Sequence, residues 1–243
     1  MPCKEFLRRQ LAESGWFVRK IAGLPAGISL EHDLLKRTHQ SPPKVIFDIG
    51  AHHGETAESF ARSFPQAKIF SFEPVRANFS ILEDKLRHRS LVTCHHLALS
   101  NRTGEATIVL QSDSQTHTLE SHAKAERGSS GNVETVQLTT LDEFAGARQI
   151  ARIDLLKIDT EGHEIAVLSG ARHLFSRHQI GAVFLEATLD DADTAHTQLS
   201  TAIAWLQPLG FRLTALYDQT LGPPPTRLSF FNALFLPDGG RPQ

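Results

Sequence analysis

Cysteine is nearly absent: Cys3 and Cys94 are the two copies in 243 residues, and neither sits in a CxxC pattern. That excludes a disulfide framework and a cysteine-based zinc site. No apolar run is long enough to span a bilayer, and the opening MPCKEFLRRQLAESG has no apolar stretch of signal-peptide type. A strong charge of one sign is missing as well. The formal net charge is −2, so no global basic field gathers nucleic acid or anionic lipid. The expectation is a soluble, cytoplasmic protein with no membrane span and no nucleic-acid partner. What is present is ordinary for a globular chain, with 40% hydrophobic and 21% charged residues and enough length for a full core. Histidine is the exception, with 13 copies.

The first residues read differently from the rest. Phe6, Leu7 and Leu11 fall at near-helical spacing, as do Leu30, Leu34 and Leu35, with Gly23, Pro25 and Gly27 separating the two stretches. Ser41-Pro42-Pro43 then stops helix. Residues 1–41 are expected to form an N-terminal helical extension and residues 42–243 the main domain. Lys4, Arg8, Arg9, Arg19 and Lys20 make the extension basic, as a solvated helix face would be.

From Lys44 onward, short apolar runs alternate with helical periodicity. Strands are predicted at Val45–Phe47, Lys68–Phe72 and Leu91–Leu99, with helices over Glu55–Phe64 and Val75–Arg87 between them. Ala106–Leu110 and Val133–Leu138 are strand-like and flank a polar segment, QSDSQTHTLESHAKAERGSSGN, in which Ser114–Glu120 is a candidate lid. Then follow a helical turn at Leu141–Phe144, a strand at Ile153–Ile158, a helix over Glu164–Phe175, a strand at Ala182–Leu185 and a helix over Asp190–Leu206. Phe211–Leu216 and Leu228–Leu236 close the chain as an antiparallel pair. Strands joined by helical crossovers define an α/β fold with a doubly wound, mostly parallel sheet.

Ligands of such sheets bind outside the carboxyl ends of the strands. The first strand ends in the turn Asp48-Ile49-Gly50-Ala51-His52-His53-Gly54. Gly50 is free to take positive φ and to let a ligand near the backbone, and Gly54 lets the next helix start close to the strand. The second strand ends in Glu73-Pro74, where a carboxylate is placed to accept the two hydroxyls of a ribose. A P-loop is excluded, because no GxxxxGK[ST] run exists. A dinucleotide fingerprint fits poorly, because His52 stands where its second glycine belongs. S-adenosylmethionine has a ribose and no phosphate, and Asp48, Gly50, Gly54 and Glu73 supply an acid for its ammonium, a tight turn and an acid for its ribose. A nicotinamide-dependent oxidoreductase and a non-catalytic binding protein on the same sheet are the alternatives.

The second dense segment is Lys157-Ile158-Asp159-Thr160-Glu161-Gly162-His163-Glu164. Lys157 and Asp159 share a strand face, and a buried lysine needs a partner, with Asp159, Glu161 and Glu186 as candidates. Asp159 falls at the end of its strand, beside the first turn. Asp159, Glu161 and His163 are the candidate bases, His163 having the best unperturbed pKa. Glu161 and Glu164 also suit a helix N-terminus. His163-Glu164 does not open an HExxH motif, because position 167 is Val167. Asp159, Glu161 and Glu186 offer oxygen ligands, but no spacing demands a metal and none is expected. His32, His39, His88, His122, His173, His178 and His196 have no motif context and read as surface residues.

The succession VIFDIGAHHGET, FSFEPVRANFSILEDKL, LALSNRTGEA, VQLTTLDEF, IDLLKIDTEGHEIAVLSGA and VFLEA resembles the FkbM-type S-adenosylmethionine-dependent methyltransferases over about residues 44–187. The resemblance implies a class I methyltransferase fold, a Rossmann-like sheet of seven strands with an antiparallel strand near the C-terminus. It implies methyl transfer from S-adenosyl-L-methionine, leaving S-adenosyl-L-homocysteine, to a hydroxyl of a saccharide, glycolipid, polyketide or similar metabolite. By the family pattern Asp48, Gly50 and Gly54 lie at the methionine end, Glu73 holds the ribose, Ala98-Leu99 flank the adenine and Asp159 faces the reacting centre. With the rest of the two turns, the expected cofactor set is Asp48, Gly50, Ala51, His53, Gly54, Glu73, Pro74, Ala98, Leu99 and Asp159. A small polar residue is common in the family where this chain has His52 or His53, so a histidine there touches cofactor or substrate, or points to solvent.

Overall fold

In the computed structural model, which describes residues 10–11, 13–15, 20, 23–37, 41–110, 118–120, 133–222 and 227–239, the apolar runs assemble into one large sheet and two small ones. The first half of the chain gives α1 (Leu30–Arg37), β1 (Val45–Ile49), α2 (Glu55–Ser63), β2 (Lys68–Phe72), α3 (Arg76–Leu86), β3 (Val92–His95), β4 (Ala98–Leu99), β5 (Gly104–Val109) and β6 (Thr118–Glu120). The second half gives β7 (Val133–Thr139), α4 (Leu141–Ala147), β8 (Leu155–Ile158), α5 (Glu164–Ser169), α6 (Arg172–Ser176), β9 (Val183–Thr188), β10 (Thr197–Gln198) and α7 (Leu199–Leu206). Four further strands follow: β11 (Phe211–Tyr217), β12 (Leu221–Gly222), β13 (Arg227–Leu228) and β14 (Phe230–Pro237).

The large sheet runs β11-β14-β9-β8-β1-β2-β3, with β10 paired onto β9. Its pairings are parallel except those of β14, which is antiparallel to both β9 and β11. This is the expected mostly parallel sheet, with seven strands on its main path and an antiparallel strand near the C-terminus. Both faces are covered, so its central strands are continuously apolar. Alternate residues of β1 feed opposite cores: Phe47 and Ile49 pack with Phe72, Phe144 and Phe231, while Ile46 packs with Phe60, Leu82 and Leu155. Leu34 of α1 joins the second core. The Tyr217 hydroxyl donates to Asp33 at 2.7 Å, and the Gly27 N–H donates to the same carboxylate oxygen at 2.9 Å. Thus α1, read from sequence as part of an extension, shares the core of the main domain.

Two expected elements are divided in the structure, and a third is shortened. The strand read over Leu91–Leu99 ends at His95; Ala98 and Leu99 cross to a second sheet, where β4 pairs with β7 and β7 with β5. The helix read over Glu164–Phe175 is two helices, because Asp142 caps a fresh start: its carboxylate accepts the N–H groups of His173 at 2.9 Å and Leu174 at 3.0 Å. The helix read from Asp190 begins only at Leu199. Before it, Asp190 accepts the N–H of Ala192 at 3.1 Å and Asp193 that of Ala195 at 2.8 Å, local bonds that compete with helix. The expected helix around Phe6 and Leu7, and the candidate lid Ser114–Glu120 apart from the backbone of β6, lie outside the described residues. Among the described residues no helix is long and apolar enough to cross a membrane.

Candidate active site

The chain leaves β1 toward β2 and β3 on one side, and leaves β8 toward β9 on the other. The carboxyl ends of β1 and β8 therefore flank the switch point, where open α/β sheets bind ligands. Gly50 has φ of 73°, and a Cβ placed on it would lie 1.7 Å from the Asp159 carbonyl oxygen. The close approach that demands glycine here is thus made by the chain's own backbone. The N–H groups of Gly50 and Ala51 donate to the Phe72 carbonyl at 3.0 and 2.9 Å, and the Asp159 N–H donates to Ile49 at 3.0 Å. Three strand ends are tied together by these bonds. Gly54, with φ of 83°, does not reach the pocket; a Cβ there would lie 2.7 Å from Leu82, so its smallness seats α2 on α3.

A pocket of about 450 Å³ opens over this junction. Glu73, Pro74, Ala98 and Leu99 form one part of its wall, Gly50, Ala51 and His52 the middle, and Asp159, Glu161, Glu186 and His196 the rest. Of the expected cofactor set, Gly50, Ala51, Glu73, Pro74, Ala98, Leu99 and Asp159 line it.

Glu73 is 5% exposed. Its two carboxylate oxygens accept the N–H groups of His52 at 3.0 Å and Val75 at 2.9 Å. Burial pushes its pKa up to about 7, against the pull of these two donors. His52 has a left-handed φ of 47° and stacks on His53, with ring centroids 3.6 Å apart. His52 reaches the pocket and His53 does not: the His53 ring nitrogen lies 3.2 Å from the Asn78 side-chain oxygen. Of the two histidines, the one expected at the cofactor is therefore the one turned away from the pocket.

Asp48 lies behind the pocket wall. It is fully buried and does not line the pocket. The physical reason is register: Asp48 and Lys157 are direct partners across β1 and β8. Lys157 Nζ lies 3.0 Å from Asp48, 3.4 Å from Asp159, and donates to the Gly50 carbonyl at 2.8 Å. Burial works against the ammonium, but Asp48 and Asp159 hold its pKa above that of an ordinary lysine. The buried lysine therefore has its expected partner in Asp159 and a nearer one in Asp48.

Beyond β8, Glu164 shapes the loop. One carboxylate oxygen accepts the Thr160 N–H at 2.9 Å, the Thr160 hydroxyl at 3.0 Å and the Gly162 N–H at 3.3 Å. The other accepts the Thr197 hydroxyl at 2.5 Å. Glu161, held in this loop at φ of 52°, lines the pocket. His163 does not: its Nε2 lies 3.0 Å from the Ser100 hydroxyl, on the β4 side, and burial lowers its pKa.

His196, read from sequence as a surface residue, is largely buried and lines the pocket. Its Nδ1 lies 2.7 Å from Asp193, its Nε2 3.3 Å from Glu186, and its ring stacks on Phe230 at 4.6 Å. Burial, then Asp159 and Glu161, push Glu186 up to about 9. Burial, then Asp159, raises Glu161 to about 7. One atom each from Glu161, Glu186 and His196 lies within 4.8 Å of the other two, a grouping able to hold a metal ion. The signal in the sequence was thin: an Asp-x-x-His step after a strand bearing Glu186.

The strand order, the single antiparallel strand and an acid beside the glycine turn at the switch point define an open, doubly wound α/β sheet with a ligand pocket at its switch point. The chain belongs to the FkbM methyltransferase family: the Methyltransferase FkbM domain matches residues 48–213. It is a methyltransferase enzyme, and the family implies S-adenosylmethionine as methyl donor. The hexuronic acid methyltransferase AglP of Haloferax volcanii is 26% identical over 202 residues, covering 81% of this chain and 78% of that one. Methyltransferase 1 of Beauveria bassiana is 28% identical over 142 residues, covering 51% of this chain and 57% of that one. Among solved structures, precorrin-6y C5,15-methyltransferase from Geobacter metallireducens aligns with a TM-score of 0.47 at 14% identity, over 86% of this chain and 88% of that one. M. capricolum TrmK with bound S-adenosyl-homocysteine aligns with a TM-score of 0.47 at 10% identity, over 80% and 62%.

Proposed function

We propose that the chain transfers a methyl group from S-adenosylmethionine to a hydroxyl of a sugar-like, polyhydroxylated metabolite. One observation carries the reading: Glu73 and Asp159 line a single pocket on either side of the Gly50 turn. The residues fit the donor. Each Glu73 oxygen accepts one backbone N–H, and a carboxylate has further acceptor sites for ribose hydroxyls. Phe72, Val75, Ala98, Leu99 and Ile108 give the apolar walls that a flat base requires. The pocket volume of about 450 Å³ lies within the range of small-molecule sites.

When bound, the donor supplies an electrophilic sulfonium methyl. The chain's own work is positioning and proton handling. Holding the acceptor oxygen about 3 Å from the methyl, in line with sulfur, is a large part of the rate. Asp159 takes the hydroxyl proton, a contribution on the order of 10²–10⁴-fold. Lys157, 3.4 Å away, holds the Asp159 carboxylate in place. Asp48 acts only through Lys157. A saccharide acceptor is supported by the relative that methylates a hexuronic acid.

Calorimetry with S-adenosylhomocysteine tests the donor site. Binding to the native chain and a loss of about 10²-fold or more in Glu73→Ala are expected; no heat and no thermal shift at millimolar ligand would sink the reading. Release of S-adenosylhomocysteine over a panel of uronic acids, other saccharides and simple alcohols tests the acceptor class. Turnover on thiols or amines alone contradicts it.

A further inference from the structure

We infer that Glu161, Glu186 and His196 form a divalent-cation site at the acceptor end of the pocket, with open positions for oxygens of the acceptor. The inference rests on the methyltransferase reading for its purpose, though not for its geometry. The three residues come from three separate segments: the loop after β8, the strand β9, and the loop before β10. Their ligand atoms lie within 4.8 Å of one another, a span that one cation closes with bonds of about 2.0–2.4 Å.

The imidazole is what separates this group from an ordinary acidic patch. His196 is held on three sides. Asp193 lies 2.7 Å from Nδ1, the same aspartate accepts the N–H groups of Ala195 and His196 at 2.8 and 3.1 Å, and Phe230 stacks on the ring. A carboxylate on Nδ1 fixes the tautomer whose Nε2 carries a lone pair, the arrangement typical of metal-binding histidines. That Nε2 faces Glu186 at 3.3 Å.

Charge points the same way. Asp159, Glu161 and Glu186 share this wall, and Lys157 is shared between Asp48 and Asp159. Among the described residues no lysine or arginine pairs with Glu161 or Glu186. Two carboxylates and one imidazole form a mixed oxygen and nitrogen set, which suits manganese, cobalt or zinc better than calcium or magnesium. Three protein ligands on a pocket wall leave coordination positions for a hydroxyl or a vicinal diol, whose proton then leaves more easily toward Asp159.

The test uses full-length, tag-free protein stripped with chelator, and Mn²⁺ alone as probe, followed by loss of the free-ion electron paramagnetic resonance signal. S-adenosylhomocysteine binding is measured on the same samples. One equivalent of Mn²⁺ is expected at micromolar affinity, weakened at least 100-fold in Glu186→Gln and His196→Ala and about 10–100-fold in Asp193→Asn. S-adenosylhomocysteine binding persists in all three variants and reports that they are folded. Homocysteine-product binding without Mn²⁺ binding overturns the metal site and leaves the methyltransferase reading intact. So does Mn²⁺ bound equally by native protein and variants. Loss of both ligands in the native protein overturns both.

Discussion

Beneath the Gly50 turn, where β1 meets β8, each charge has its counterpart built in. Asp48 has Lys157 at 3.0 Å, Lys157 also has the Gly50 carbonyl at 2.8 Å, and backbone bonds tie the strand ends together. At the His196 end, Glu161 and Glu186 share a half-buried wall with Asp159, and their neighbour is an imidazole already claimed by Asp193. The first end is finished by the fold itself. The second leaves carboxylates in the pocket wall that the fold does not pair with a lysine or arginine among the described residues.

The comparison is broken most severely at the finished end. Gly50→Ala meets both a left-handed φ and a backbone carbonyl that has no freedom to retreat, so a loss above about 4 kcal/mol is expected, seen as failure to fold in urea titrations. Lys157→Met strands the buried Asp48 charge and should cost about 3–5 kcal/mol. The double variant Asp48→Asn with Lys157→Met should recover part of that loss; strictly additive losses would show that the two residues do not act as a pair.

Glu73 sharpens the contrast, because function there opposes stability. Burial raises its pKa to about 7, so the folded state prefers the neutral acid. The stability this group contributes below about pH 4.5 is lost as pH rises toward 7. Glu73→Gln keeps the neutral form at all pH values. It should match the native chain near pH 4 and exceed it at pH 8 by on the order of 1–3 kcal/mol in urea unfolding. Equal stabilities at both pH values would remove the claim that burial penalises the charge. The smallest effect belongs to His163→Gln. Its ring meets Ser100 outside the pocket, so S-adenosylhomocysteine affinity should change less than about threefold.

The sheet was legible because buried parallel strands are written as short apolar runs, and β1, β2 and β8 fall where those runs do. The Gly50 turn and Glu73 were legible as pocket-lining for a similar reason: they sit at strand ends, where sequence position and spatial position coincide. That Asp48 and His53 turn away from the pocket was not legible, because spacing does not say which way a side chain points; Lys157 covers one, and Asn78 holds the other. The division of Leu91–Leu99 was invisible because the strand's partner in the second sheet, β7, lies some 40 residues on. His196 was hidden for the opposite reason to Glu73. It sits in a loop shaped by Asp193, and only the fold brings it against Glu186, ten residues earlier in sequence.

The central claim is that an ionised Glu73 grips the donor's ribose. Its most direct test is calorimetric titration of S-adenosylhomocysteine into the native chain and Glu73→Gln between pH 6 and pH 8. With a pKa of about 7, native affinity should rise about tenfold across that interval, while the variant stays weak and flat. Equal affinities for native protein and variant, or a native affinity that falls as pH rises, would contradict the account.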